Sequence, residues 1–448
     1  MSDRVPRLDQ LDGRRIAVWG AGIEGRAALR RLAARADLTL IVDDPPPPAA
    51  AELAREFGCP LLTPDSASSQ DFALVIRSAG VSVHRPEIAA FHRRGVPVAG
   101  LLAIWLAEHE SSTTIGVTGT KGKSTTSALC TALLTTVGTD VSFGGNIGVP
   151  IIDLPDHAAV HVIEVSSYQA SDVRRSPTIG VLTSLEADHL PWHGGLEGYW
   201  HDKLNLFEHD GLDHFVTHAA LLDGHPAVAR SSARRRAHPS DIVVTEGELS
   251  IADHPAIELV GSFVLPHNAR NLALAVRAAR LVSDRVDEAA TREVMADYRG
   301  LPSRLEVIAV VDGIRLVDDA LASNPFASET GVRSMHDQPL VLLAGGADRD
   351  VDIAALASTL RDSAHVVAVV LFSETRERWA GELRAAGMPL DRMIEIDTED
   401  VAEAARAASH LLRSGTTLLF SPAAPTPSTI GNYADRSAMF QRFATSLS

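Results

Sequence analysis

Cysteine is almost absent from this chain. Cys59 and Cys130 are the two cysteines in 448 residues, and neither stands in a CxxC or Cys/His spacing. That excludes a disulfide framework and a thiolate metal site and suits a reducing, cytoplasmic setting. Long apolar runs are missing as well. The longest, Val96 to Ala107, is too short to span a bilayer, and the N-terminal stretch holding Asp3, Arg4, Arg7, Asp9, Asp12, Arg14 and Arg15 lacks the apolar core of an export signal, so no membrane insertion is expected. Positive charge is the third shortage. With 41 Lys+Arg against 57 Asp+Glu, the net charge is −16, so a polyanion is repelled on average and nucleic acid is not an expected partner. An anionic small molecule must then meet dedicated cations or backbone amides.

What is present is length and a repeated α/β rhythm. At about 150 residues per domain, the chain has room for about three domains, each with its own core. The 45% hydrophobic content, with aromatics at only 5%, fits an α/β protein. A strand-like run from Arg15 to Trp19 enters a glycine turn, a helical segment follows from Arg26 to Ala36, and a second strand from Leu38 to Val42 ends at Asp43-Asp44. This is the opening of a doubly wound sheet. Pro45 to Pro48 reads as loop. A second unit starts with a strand at Thr114–Val117, a glycine loop and a helix from near Ser124; a third holds strands near Leu305–Val311, Ile314–Val317, Leu340–Leu343, Val366–Phe372 and Thr417–Phe420. The expected fold is α/β in three domains: Rossmann-like over 1–111, a central P-loop-type ATPase over 112–300, and Rossmann-like again over 301–448. A monomer is expected.

Two glycine loops carry the first chemistry. Gly20-x-Gly22-x-x-Gly25, with Asp43 eighteen residues beyond, matches a dinucleotide turn. Taken alone it suits NAD(P), another phosphate-bearing nucleotide, or a structural turn. The sharper loop is Gly116-Val117-Thr118-Gly119-Thr120-Lys121-Gly122-Lys123-Ser124-Thr125, a P-loop variant with five residues between Gly116 and Gly122 where the strict form has four. Its glycines let backbone N–H groups wrap phosphates, Lys123 reaches β/γ-phosphates, and the Ser124 hydroxyl suits Mg²⁺. Downstream, Glu164 ends an apolar strand, His189 follows another, and Lys203 comes fourteen residues later. Singly, each could be a strand cap, a loop histidine or a surface lysine.

Their order is what makes them specific. Thr118 to Ser124, Gly145-Asn146-Ile147-Gly148, Glu164-Val165-Ser166-Ser167-Tyr168-Gln169, Asp188-His189, Lys203 and His267-Asn268-x-x-Asn271 resemble the motifs of the Mur ligases. The likeness is to the MurD type, which uses ATP to add glutamate to UDP-N-acetylmuramoyl-L-alanine in peptidoglycan precursor synthesis, and it spans essentially the whole chain. The resemblance implies ATP and two Mg²⁺ as cofactors. Gly119, Thr120, Lys121, Gly122, Lys123, Ser124 and Thr125 would bind ATP, with Asn268 near adenine and Arg304 and Asp319 closing over the nucleotide. Ser124, Glu164, His189 and a carbamylated Lys203 would hold metal, and Lys123, Lys203, His189 and Glu164 would carry catalysis. Gly22, Ile23, Glu24, Gly25, Ser78 and Gly80 would cradle the UDP diphosphate, Asp43 or Asp44 would lie near uracil, and Asn146 would meet the muramoyl group.

The last third departs from the family pattern. Asp-Ser-Lys-Ala-Thr-Asn becomes Asp319-Ala320-Leu321-Ala322-Ser323-Asn324, so a lysine near the incoming amino acid is Leu321; Arg349 replaces another lysine, and Ser303 replaces a histidine before Arg304. An arginine fork reads a carboxylate differently from a lysine point charge. Arg349, Ser323, Thr426 and Tyr433 are therefore the expected amino-acid contacts, and a rebuilt pocket favours L-glutamate over the D-glutamate of the standard enzyme. An L-glutamyl product would call for an epimerising enzyme downstream. Other readings are an NAD-dependent oxidoreductase, which leaves Lys123, Glu164, His189 and Lys203 without a task, and a non-catalytic sensor of UDP-muramoyl peptide.

Overall fold

A computed structural model describes residues 5–147, 149–237, 242–245, 247–251, 256–264, 266–298, 300, 303–348, 350–427 and 429–447. Arg349 and Gly148, both singled out above, lie outside the described residues. The chain divides into two compact units, Met1–Tyr298 and Arg299–Ser448.

The first unit carries two parallel sheets. One is built from β1 (Arg15–Trp19), β2 (Asp37–Ile41), β3 (Leu61–Leu62), β4 (Leu74–Arg77) and β5 (Val98–Gly100) in the order β3-β2-β1-β4-β5. The other uses β6 (Thr113–Thr118), β7 (Val141–Gly145), β8 (Val160–Glu164), β9 (Ile179–Leu182) and β10 (His214–Thr217) in the order β10-β9-β6-β8-β7. Parallel strands buried on both faces read as continuous β-branched and aliphatic runs, which is why Arg15–Trp19 and Val160–Glu164 stand out in the sequence. In each sheet the chain reverses its direction of build beside the first strand. The crevices at the carboxyl ends there are where α/β sheets receive ligands, and both glycine loops emerge at such points.

The longest apolar run of the sequence forms β5 and then the helix Leu101–Glu108, whose residues Leu101 to Leu106 are all buried. A helix apolar all round needs core on every side. It has one: the same apolar cluster takes in Ile76 and Ala99 from the first sheet and Ile163 and Leu182 from the second. Among the described residues no helix is long and apolar enough to cross a membrane. A small antiparallel sheet, β11 (Ile242–Thr245), β12 (Glu248–Ile251) and β13 (Ile257–Glu258), completes the unit and was not anticipated from the sequence.

The second unit holds one six-stranded sheet, β14 (Glu306–Val311), β15 (Ile314–Asp318), β16 (Leu340–Gly345), β17 (Val366–Phe372), β18 (Met393–Glu395) and β19 (Thr417–Phe420), ordered β14-β15-β19-β16-β17-β18. Only β14–β15 is antiparallel, joined by a tight turn through Asp312 and Gly313.

Two local expectations need correction. The first helix runs Ile23–Leu32, not Arg26 to Ala36, because Gly22 caps it directly after the turn. Pro48 is not loop but the first residue of the helix Pro48–Glu56, where a missing N–H costs nothing.

Candidate active site

The loop after β6 is shaped by two glycines that no other residue could replace. Gly119 has φ +156° and Gly122 φ +85°, and a Cβ would collide with the Thr183 hydroxyl at the first and the Asn271 side-chain oxygen at the second. Gly122 then caps the helix Lys123–Thr136, so the positive end of a four-turn helix opens onto the loop. Lys123 Nζ donates to the carbonyls of Gly119 (3.0 Å) and Thr120 (3.3 Å), folding back over the cradle. Ser124 and Thr125 are buried in the first turn. Lys121 is more exposed, its N–H bonded to Ser184 Oγ at 2.8 Å. Thr120 Oγ1 meets the buried Tyr199 hydroxyl at 2.7 Å.

Lys203, on the helix Leu196–Leu204, arrives at the same loop from the other side. Its Nζ donates to Gly119 O at 3.0 Å and lies 3.5 Å from Thr118 Oγ1. Burial, followed by the charge of nearby Lys123, pushes this amine well below the usual lysine range. A lysine so buried is a weaker base than an exposed one, and its amine is correspondingly more available as a nucleophile.

Glu164 ends β8 in full burial. Its Oε1 accepts from Asn146 Nδ2 at 2.8 Å, whereas Oε2 is buried with no hydrogen-bond partner among the described residues. An orphaned carboxylate oxygen is costly unless a cation completes it, so the residues present fit a divalent ion. His189 adopts a left-handed backbone (φ 51°) that heads the short helix Leu190–His193; its ring is half exposed and packs on Tyr168 at 5.1 Å between centroids. A non-glycine residue held in that region is a strained position of the kind found at functional sites.

The turn after β1 is equally tight. A Cβ on Gly20 would come within 2.6 Å of Ser78 Oγ, and one on Gly25 would strike the Gly20 carbonyl. Ser78 Oγ is buried without a hydrogen-bond partner among the described residues. Glu24 accepts from Ala79 N (2.6 Å) and Gln169 Nε2 (2.8 Å), joining the segment after β4 to the one after β8. Asp43 is paired with Arg85 at 2.8 Å, and the Arg85 guanidinium lies over Trp19. Asp44 and Gly80 are solvent-accessible, and Ile23 exposes its side chain at the helix start.

In the second unit, Asp319 follows β15 and is buried, accepting from Ser421 Oγ at 2.6 Å and from the Leu305 N–H at 3.2 Å, which brings the exposed Arg304 beside it. Burial drives its carboxyl up to about 7. A carboxyl that titrates above its ordinary 3.8 holds its proton better when folded. Its contribution to stability is therefore present below about pH 4 and lost as pH rises towards 7. Asp319→Asn is expected to gain on the parent across that window, by up to about 1.4 kcal/mol per pH unit. Denaturant unfolding of both proteins at pH 4 and pH 7 measures this, and a constant difference would refute it.

Ser323 is exposed, and Thr426 and Tyr433 are half buried. The loops holding Gly345-Gly346 and Ala424-Pro425 are joined by Ala347 N to Pro425 O (2.9 Å) and by Arg436, which donates to Gly345 O (3.2 Å) and Ala424 O (3.1 Å). Arg436 and Asn271 escaped the sequence reading. Nothing in their neighbours' sequence marks an arginine on a helix as a buried strut, although Asn271 stood inside a quoted motif.

Comparison with known proteins decides the family. The pattern of the Mur ligase middle domain matches residues 117–279, and that of the Mur ligase, glutamate ligase domain, residues 303–424. A protein of Micromonospora sp. named UDP-N-acetylmuramoyl-L-alanine–L-glutamate ligase is 38% identical over 457 residues, 97% of each chain. The chain belongs to the Mur ligase family. A Symbiobacterium thermophilum relative, named UDP-N-acetylmuramoylalanine–D-glutamate ligase, is 31% identical, covering 97% of this chain and 98% of its own. Among solved structures, the UDP-N-acetylmuramate-alanine ligase MurC of Thermotoga maritima shares the fold at TM-score 0.56 with 19% identity, over 97% of this chain and all of that one. The expectation of a Mur ligase drawn from the motif order is met, and the two family matches take in the glycine loop from Val117 onward and most of the second unit.

Proposed function

We propose that this Mur ligase joins L-glutamate to UDP-N-acetylmuramoyl-L-alanine with consumption of ATP. The observation that carries the reading is the meeting of Lys123, Lys203 and Glu164 around one glycine loop: a lysine that folds over the cradle, a buried amine and a half-satisfied carboxylate. The reaction requires the substrate carboxylate to attack the γ-phosphate, giving an acyl-phosphate and ADP, and the glutamate amine then to displace phosphate. Lys123 and the N–H groups of Gly119 to Thr125 offset the charge that gathers as two anions approach. Mg²⁺, held by Ser124, Glu164, His189 and a carbamylated Lys203, would supply further charge neutralisation.

The burial of Lys203, which lowers its basicity, supports carbamylation. Its neutral amine attacks dissolved CO₂, a C–N bond forms, and one proton leaves to solvent, turning a buried base into an anion. The turns at Gly22–Gly25 and Ser78–Gly80 are read as the diphosphate cradle, with Asn146 at the muramoyl end and Asp43 or Asp44 near uracil. Arg304, Asp319 and Asn268 are read as nucleotide contacts, and Ser323, Thr426, Tyr433 and Arg349 as amino-acid contacts. Three functional domains, 1–111, 112–300 and 301–448, complete the reading, in a cytoplasmic monomer whose product passes to an epimerising enzyme.

The choice of L-glutamate is supported by Leu321 and Arg349 standing where the family usually has lysines and by the name of the 38% identical relative. Incubating the protein with ATP, Mg²⁺ and UDP-N-acetylmuramoyl-L-alanine, with L- or D-glutamate supplied separately, tests it through phosphate release and product mass. Product with the L isomer is expected. Product with D-glutamate alone would overturn the stereochemical choice, and none with either would favour a binding protein or another acceptor.

A further inference from the structure

One buried polar chain in the first unit has no part in the chemistry above. Asp202 is buried, and its Oδ2 is reached by His193 Nδ1 at 2.7 Å and by His84 Nε2 at 2.9 Å. His193 is enclosed, its Nε2 meeting Ser167 Oγ at 3.0 Å, whereas His84 is half exposed. Two imidazoles and a carboxylate are a donor set for Zn²⁺, but tetrahedral ligands about 2.0–2.1 Å from that ion stand about 3.3 Å apart. Here both nitrogens close on a single oxygen at hydrogen-bond distance. The arrangement is a hydrogen-bonded relay.

Its two ends explain why it matters. Asp202 directly precedes Lys203 on the helix Leu196–Leu204. His84 belongs to the segment after β4 that also contains Ser78 and Gly80. That segment is fastened to the same neighbourhood by Trp192 Nε1 donating to Gly80 O (3.2 Å) and Ser82 Oγ donating to Trp192 O (3.0 Å). A buried carboxylate held by two donors is fixed in place, and it fixes the backbone that carries it. Displacing a reacting group by about 1 Å costs about 10²-fold in rate, so a small slip of this helix would be felt at the Lys203 Nζ.

We propose that Asp202 is a positioning residue for Lys203, and that His84 makes its hold depend on the segment after β4. This rests on reading Lys203 as the carbamylated group. The test combines ¹³C NMR after incubation with ¹³C-bicarbonate and steady-state kinetics on the parent, Lys203→Ala, Asp202→Asn, His84→Ala and His84→Gln.

The parent is expected to show a carbamate resonance that Lys203→Ala lacks. Asp202→Asn and His84→Ala should show a weaker resonance and a kcat about tenfold lower, with KM for ATP unchanged and activity regained on adding bicarbonate. His84→Gln, whose Nε2 amide can reach the same oxygen, should resemble the parent. His84 is half exposed, so His84→Ala tests the idea even if Asp202→Asn folds poorly. A parent without a Lys203-dependent resonance would overturn the carbamate reading. A parental resonance undiminished in His84→Ala and Asp202→Asn, whatever their kcat, would overturn the positioning role.

Discussion

Lys123→Ala is expected to lower ATP-dependent phosphate release by about 10³-fold or more, with little loss of folded protein. The expectation follows from where the ammonium lies. Lys123 opens the helix that Gly122 caps, and its Nζ spans the loop between the carbonyls of Gly119 and Thr120, where a phosphate chain threaded through the cradle would lie against it. Removing a single preorganised donor from a site of developing charge costs about 10²–10³-fold in other enzymes, and a full positive charge beside a transferring phosphoryl group is a stronger case. The loop does not need the side chain in order to fold, because its shape is dictated by the left-handed glycines and by Thr183 and Asn271 packed against them. Phosphate release at saturating substrate, alongside thermal unfolding, checks both halves. A variant within tenfold of the parent would remove Lys123 from the chemistry.

Lys203→Ala should be the second near-complete loss, and added bicarbonate should not restore it. The residue is buried beside Lys123, so its amine is driven towards the neutral form, and its contacts are a carbonyl and a hydroxyl that do not need a positive charge. Truncation removes the group that CO₂ would modify and leaves the carboxylates of Asp188 and Glu164 as the neighbouring anions. Turnover is expected to fall at least about 10²-fold, and dependence on Mg²⁺ concentration to steepen if the carbamate is a ligand of the ion as proposed. Parental turnover, or recovery with bicarbonate, would exclude the carbamate.

Much of this was legible before any coordinates. The two glycine loops, the acid at the end of β8 and the histidine after β9 announce themselves because each sits where a parallel strand ends, and strands buried on both faces are hard to miss. Helix starts were less legible. At Gly22 and Pro47 the cap is made by residues that also serve as turn formers, so the same letters fit a loop. Residues acting at a distance left no local trace: Arg436 reaches a loop 91 positions upstream, Glu24 joins the segment after β4 to the one after β8, and Asp202 draws in a histidine 118 positions away. Such roles depend on the tertiary fold. The small sheet at β11–β13 was missed for another reason, since its strands are short and carry no motif.

The apolar helix at Leu101–Glu108 sets a limit on how this enzyme could be recombined. Because it seals both parallel sheets of the first unit, the stretch that reads as a separate substrate-binding module cannot be cut away without stripping a shared wall from its neighbour. The second unit, whose sheet has an apolar cluster on each of its faces, keeps its own interior. A cut between the two parallel sheets of the first unit is therefore closed, whereas the second unit is built around a core of its own.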